Sequence, residues 1–196
     1  MRELSLHILD LLQNSLEAGA TAISLQIVED TRLDRLVIEV TDNGRGMTQE
    51  MLSRATDPFC TSRTVRRVGL GLPLLAAACE RCAGSLRIES TPELGTKVTA
   101  TLQLSHIDRA PLGDIAGTVL SVALHQPPVA LHYTHRVDDR AFVLDTAAIA
   151  AELSDVPLSH PSVLRWLREY LADGLAELHG GDADAKSAQY GGVAPS

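Results

Sequence analysis

The most constraining feature of this chain is a strand-like run that ends in an acid and two glycines. Residues 36–41, LVIEVT, alternate apolar and polar side chains, and DNGRGM follows at residues 42–47. Period-two alternation marks a half-buried strand. Asp42 stands where that strand stops, and Gly44 and Gly46 sit close behind it. Glycine admits positive φ and lets other groups approach the backbone. Two readings follow. One is an Asx-turn, for which Asp-Asn-Gly is good material. The other is a backbone kept bare so that a ligand can lie against it.

The flanking segments set an order of elements. Leu4, Ile8, Leu11, Leu12 and Leu16 recur at helical spacing, and Gly19 stops the run. Residues 22–28 alternate as a strand, and DTRLD joins them to residues 36–41 as a hairpin. Residues 48–55 form a short helix starting at Thr48. Residues 56–68, TDPFCTSRTVRRV, have little apolar periodicity and three arginines, and read as a loop. Residues 70–83 are helical and end at Gly84. Residues 85–90 and 97–104 alternate as two strands around TPELGT.

Residues 1–104 thus form a first domain, and residues 105–113 read as a linker. Residues 114–179 form a small C-terminal α/β region. It carries a helix, strands near 129–135 and 140–145, and two further helices. Residues 180–196, rich in Gly, Ala and Ser, are expected to be a disordered tail. The expected fold is an α/β sandwich, a mixed sheet covered by helices on one face, with a small C-terminal α/β appendage.

Composition narrows the function classes. The chain has 196 residues, 45% apolar and 21% charged, which is globular. No apolar run nears the ~20 residues of a membrane span. The N-terminal helix pattern carries acids and is no signal peptide. A cytoplasmic protein with no membrane partner is expected. Cys60, Cys79 and Cys82 are an odd count and make no disulfide framework. Net charge is −8, with 11 Lys/Arg against 13 Asp/Glu in residues 1–104 and 6 against 12 in the rest. An acidic chain with 3% aromatic residues argues against nucleic acid as a partner.

Four further features carry chemistry. Asp10 and Asn14 lie four apart on the first helix and point to one side, bracketed by leucines. A carboxylate and an amide there suit a water and a divalent cation, and a solvated helix edge is the plainer reading. Gly69-Leu70-Gly71-Leu72 opens a helix, where free N–H groups and the dipole favour phosphate. Arg63, Arg66 and Arg67 precede it and suit an anion-covering loop or a solvated charge run. Gly95-Thr96 puts a hydroxyl at the entry to the last strand of the first domain. Cys79 and Cys82, at i and i+3, read as small core residues rather than metal ligands. His7 lies one turn before Asp10 and reads as an ordinary core or surface histidine, with tuning of Asp10 as the sharper alternative. His160, ahead of Pro161, reads as a cap-region residue.

Taken in order, DLLQNSLEAGAT (residues 10–21), DNGRGM, DPFCTSR, GLGL and the Gly95-Thr96 pair resemble the GHKL ATPase superfamily of gyrase B, heat-shock chaperones, histidine kinases and MutL-type proteins. The resemblance covers nearly all of residues 3–104. It implies a Bergerat-type α/β sandwich that binds ATP with Mg²⁺. It implies that Asp42 hydrogen-bonds the adenine amino group, that Gly44, Gly46 and Met47 border the base, and that Thr96 joins the adenine contact. Asn14 would hold Mg²⁺. Gly69, Leu70, Gly71 and Leu72 would shape the phosphate loop. Arg63, Arg66 and Arg67 would belong to a lid ordered by nucleotide, with Phe59 packing its base. Asp10 stands where hydrolysing members carry a glutamate general base. It is one methylene shorter, which bears on the hydrolytic rate but not on binding.

DPFCTSR and GLGLPLL are closest to a histidine-kinase catalytic domain, whereas NSLEAGAT is closer to MutL. The first helix begins at residue 3, so no phospho-acceptor helix is expected before it, and residues 114–178 read as too short for the second domain of MutL or gyrase. A stand-alone ATP-binding protein is therefore expected, with slow Mg²⁺-dependent hydrolysis coupled to a partner protein, and a homodimer stays open. It also resembles anti-sigma-kinase-like proteins. With its PLGD stretch it resembles, more distantly, ATPases encoded beside iron-hydrogenase and NADH-dehydrogenase-like subunits. Phosphorylation of a separate protein and a non-hydrolysing, ATP-gated interaction module stay open as alternatives.

Overall fold

The computed structural model describes residues 2–55, 71–154 and 156–188, with side chains to residue 180. Cys60, Arg63, Arg66, Arg67, Gly69, Leu70 and the DPF stretch lie outside the described residues, as does the lid expected there.

Among the described residues, twelve elements follow the expected order. They are α1 (Leu4–Glu17), β1 (Ala22–Asp30), β2 (Arg35–Asp42), α2 (Gln49–Arg54), α3 (Gly71–Arg81), β3 (Ser85–Thr91) and β4 (Gly95–Gln103). The C-terminal part adds α4 (Ile115–Ala123), β5 (Ala130–Val137), β6 (Arg140–Asp145), α5 (Thr146–Leu153) and α6 (Pro161–Ala188). Several helix starts are set by local polar groups. The Thr48 hydroxyl accepts from Met51 N–H, Asp114 caps α4 through Gly117 N–H, and Asp145 caps α5 through Ala147 and Ala148 N–H. Proline opens α6, and the His160 ring before it meets the Ser162 hydroxyl at 2.8 Å, as a cap-region residue would.

The six strands form one mixed sheet in the order β3-β4-β2-β1-β5-β6. Every pairing is antiparallel except β1 with β5. The C-terminal strands thus extend the sheet of the first part through that parallel pairing. Alternation puts Ile23, Leu25 and Ile27 of β1, Leu36, Ile38 and Val40 of β2, and Leu131 and Tyr133 of β5 on one buried face. The register sets Leu25 opposite Val40 and Tyr133, so these side chains form one layer. Helices α3, α1, α4 and α6 cover that face, each touching the next. The architecture is the expected α/β sandwich.

The segment at 105–113 runs as a strap beside the start of α1. Glu3 gives α1 no side-chain cap, and instead Leu4 and Ser5 N–H donate to the carbonyls of Pro111 and Leu112 at 2.9 and 2.8 Å. The strap thereby supplies acceptors that a bare helix start lacks. Helix α6 runs to Ala188, and residues 189–196 lie outside the described residues.

Candidate nucleotide-binding site

A cleft of about 140 Å³ opens between α1, the end of β2, the following turn and the start of α3. Asn14, Asp42, Gly46, Met47, Leu72 and Thr96, all expected at a site, line it together. Leu11, Val40, Val98 and Met51 supply apolar walls, and Glu17 and Arg45 stand among the lining residues. Asp10 and Gly44 are close by but do not line it.

Asp42 is the buried charge of the cleft, only 9% exposed. Both its oxygens are engaged. Oδ2 accepts from the Ser15 hydroxyl at 2.7 Å, and Oδ1 accepts from Gly44 N–H at 2.9 Å. Each carboxylate oxygen keeps a second lone-pair direction for a further donor. The bond to Gly44 is an Asx-turn, so both readings of DNG hold in part: the turn exists, and it aims the acid. Asn43 acts elsewhere. Its Oδ1 accepts from Thr21 and Ala22 N–H, both at 2.9 Å, and ties the turn to the start of β1.

The glycines answer to protein before ligand. Gly46 has φ +64°, and a Cβ there would fall 2.1 Å from the Thr91 carbonyl oxygen. Gly95 has φ +104°, and its Cβ would fall 1.9 Å from the Asp42 carbonyl oxygen. The β2 turn and the β3–β4 turn therefore meet backbone to backbone. Ser90 reinforces this junction: its hydroxyl accepts from Met47 N–H at 2.8 Å, donates to Gly95 C=O at 3.0 Å, and lies 2.9 Å from the Thr96 hydroxyl. With its proton given to Gly95, the Ser90 oxygen can accept from both Met47 N–H and the Thr96 hydroxyl.

Asp10 lies one helical turn before Asn14 on α1 and faces the first turn of α3. A Cβ on Gly71 would fall 1.4 Å from Asp10 Oδ2, so any other residue there would displace the carboxylate from this place. Helix α3 thus directs its N-terminus towards Asp10. Among the described residues neither Asp10 nor the Asn14 amide makes a side-chain hydrogen bond. His7, a turn earlier, is 5% exposed, and its Nδ1 has no partner. Burial lowers its pKa, with Arg81 adding to this and Asp10 opposing it. No hydrogen bond links His7 to Asp10.

Ser15 and Ser90 were missed by sequence reasoning. Ser15 sits directly after Asn14, and helical spacing turns it from the solvent side to the Asp42 side. A serine within an apolar stripe was the available signal. Ser90 is an ordinary strand serine until the turn at residues 91–95 folds back on it. Cys79 and Cys82 are buried in the core, 0% and 2% exposed, in keeping with small packing residues.

The fold and cleft define a two-layer α/β domain in which one buried carboxylate stands at the end of a central strand. Residues 2–106 match the family described as histidine kinase-, DNA gyrase B-, and HSP90-like ATPase, and the chain belongs to that family, an ATP-binding one. Sporulation kinase D of Bacillus subtilis is 38% identical over 102 residues, 50% of this chain and 19% of that protein. The DNA mismatch repair protein MutL of Azorhizobium caulinodans is 29% identical over 191 residues, 75% of this chain and 30% of that one. In structure, the N-terminal domain of a DNA repair protein superposes with a TM-score of 0.51 at 14% identity, over 74% of this chain and 53% of that one, which is a likeness of fold. The chain spans under a third of the length of these curated relatives. No helix among the described residues is long and apolar enough to cross a membrane.

Proposed function

We propose that the cleft binds ATP with adenine at Asp42, and that the chain hydrolyses it slowly with Mg²⁺ in concert with a partner protein. The observation that carries this reading is the Asp42 carboxylate, held at both oxygens and set among apolar walls in a chain of this ATPase family. A carboxylate oriented in this way accepts a hydrogen bond from the adenine amino group. Leu11, Val40, Met51 and Val98 give the base a dry seat.

The phosphates would extend along α1 towards the start of α3. Four residues of helix advance about 6 Å, so Asn14 and Asp10 follow one another along that path. The Asn14 amide oxygen, unengaged among the described residues, suits Mg²⁺, which would supply charge neutralisation at the phosphates. Asp10 would take the proton of the attacking water, a general-base role worth roughly 10²–10⁴-fold in rate. Its short side chain is offset in part by the close packing of Gly71, which brings α3 and its N–H groups up to the carboxylate.

Single-turnover ATP decay tests this reading with wild type, Asp10→Asn and Asp10→Glu side by side. Asp10→Asn should keep nucleotide affinity and lose turnover, and Asp10→Glu should hydrolyse at least as fast as wild type. A wild type no faster than Asp10→Asn overturns the hydrolytic role. The likeness to a sporulation kinase favours a second reading, transfer of phosphate to a separate protein. In that case γ-phosphate label appears on protein rather than as free phosphate. Negligible turnover with intact ATP binding would leave an ATP-gated interaction module.

A further inference from the structure

A second polar cluster lies at the other end of the sheet. Glu29, His135 and His179 come from β1, β5 and α6, and one ligand atom of each falls within 4.8 Å of the others. Register places Ile23 beside Asp42, and Glu29 follows six residues along the same strand. The cluster is thus roughly 20 Å from the cleft. Glu29 and His135 continue the alternation of Ile23, Leu25, Ile27 and of Leu131, Tyr133. They therefore put a carboxylate and an imidazole on the helix-covered face, where an apolar pair would be expected.

The hydrogen bonds restrict where the protons sit. His179 Nδ1 is 3.0 Å from the Leu175 carbonyl oxygen, which can only accept, so Nδ1 carries the proton. In the neutral ring Nε2 is then a lone pair, and it faces Glu29 Oε1 at 3.1 Å. Two acceptors confront one another. His135 Nε2 meets the same oxygen at 2.8 Å, and its Nδ1 lies 3.0 Å from the Tyr133 hydroxyl. The oxygen of that hydroxyl can accept from Nδ1–H. Both imidazoles can thus hold their proton on Nδ1 and turn Nε2 to the carboxylate. Outer partners of this kind orient metal-bound histidines.

We propose that Glu29, His135 and His179 bind a zinc-class divalent ion, clamping α6 to β1 and β5. Tetrahedral zinc with bonds of about 2.0–2.1 Å puts its ligand atoms roughly 3.3 Å apart. The separations of 2.8 and 3.1 Å from Glu29 Oε1 lie near that value, and the three ligand atoms all fall within 4.8 Å of one another. The His135 side chain is 2% exposed and Glu29 12%, whereas His179 is 50% exposed, so solvent reaches the fourth position and the ion has an entry path. Two imidazoles and a carboxylate suit zinc or cobalt, and not the all-oxygen preference of Mg²⁺.

The test is calorimetric titration of the whole, metal-stripped protein with Zn²⁺, and optical titration with Co²⁺. One equivalent should bind in the micromolar range or tighter, and Zn²⁺ should raise the melting temperature. The exposed His179→Ala is the informative variant, since it need not disturb the core, and it should weaken binding at least tenfold. Glu29→Gln should weaken it as well. The cobalt spectrum should show nitrogen and oxygen ligation without a sulfur charge-transfer band. Equal binding by His179→Ala, a sulfur band pointing to the cysteines, or no uptake with His179 instead carrying both ring protons by NMR would each overturn the proposal.

Discussion

The Ser15 hydroxyl lies 2.7 Å from Asp42 Oδ2, joining the helix that carries Asn14 to the buried acid of the central strand. This bond and the Gly44 N–H leave the carboxylate little freedom to rotate. Ser15→Ala should therefore weaken ATP binding by about 1 kcal/mol, roughly fivefold, with little change in fold. Asp42→Asn should cost more, about 1.5–3 kcal/mol, because a charge-assisted acceptor is lost. Calorimetry with ADP and Mg²⁺ checks both, and equal affinities in all three proteins would remove Asp42 from the site.

Base selection follows from the same oxygen atoms. Guanine presents a carbonyl where adenine presents an amino group, so acceptor would oppose acceptor at Asp42. ATP should displace a fluorescent nucleotide at far lower concentration than GTP does. Equal competition by the two would refute adenine recognition by this acid.

Glycine substitutions separate backbone strain from crowding. A Cβ on Gly19, at φ +76°, would meet nothing within 4 Å, whereas one on Gly46, at φ +64°, would run into the Thr91 carbonyl. Gly19→Ala should cost about 1 kcal/mol from strain alone. Gly46→Ala should cost more than about 2 kcal/mol, since two turns must separate. Urea denaturation gives both values, and equal costs would mean that the turn junction yields easily.

Cysteine reactivity should divide by burial. Burial, followed by the neighbouring Cys82, pushes the Cys79 thiol to about 11. At pH 8 its thiolate fraction is then on the order of 10⁻³, about two hundred-fold below that of an ordinary thiol. Alkylation of the native protein followed by peptide mapping should find Cys79 unmodified, with labelling appearing on denaturation. Rapid native labelling of Cys79 would contradict its packing.

Stability should fall on mild acidification, and His7 should contribute to the fall. Its folded pKa is lowered, chiefly by burial. The unfolded chain therefore binds a proton near pH 6.5 that the folded chain resists. The contribution of His7 is complete above that pH and is lost as pH drops below it. Melting curves from pH 7.5 to 5.5 should fall less steeply for His7→Leu than for wild type, and parallel slopes would show that His7 does not titrate in this way.

Local pattern alone determined most of the fold and half of the cleft. Period-two alternation marked the four strands of the first part, and helical spacing with glycine stops marked its long helices, because burial of one face acts residue by residue. Asp42 and Asn14 stand out as well, since a polar residue at the end of a strand or in an apolar stripe contrasts with its neighbours, whereas Thr96 entered only through the family resemblance. The tertiary structure decided what depends on distant segments meeting. That β5 pairs parallel to β1 and continues the first sheet follows from long-range register, which no local pattern encodes. That Gly46 and Gly95 are required by protein carbonyls, and not by a ligand alone, depends on two turns about fifty residues apart coming together. Ser15, Ser90 and the trio of Glu29, His135 and His179 acquire their chemistry only from partners across the fold. A hydrogen bond or a metal site depends on separations of about 3 Å, and chain folding sets those separations where sequence order does not.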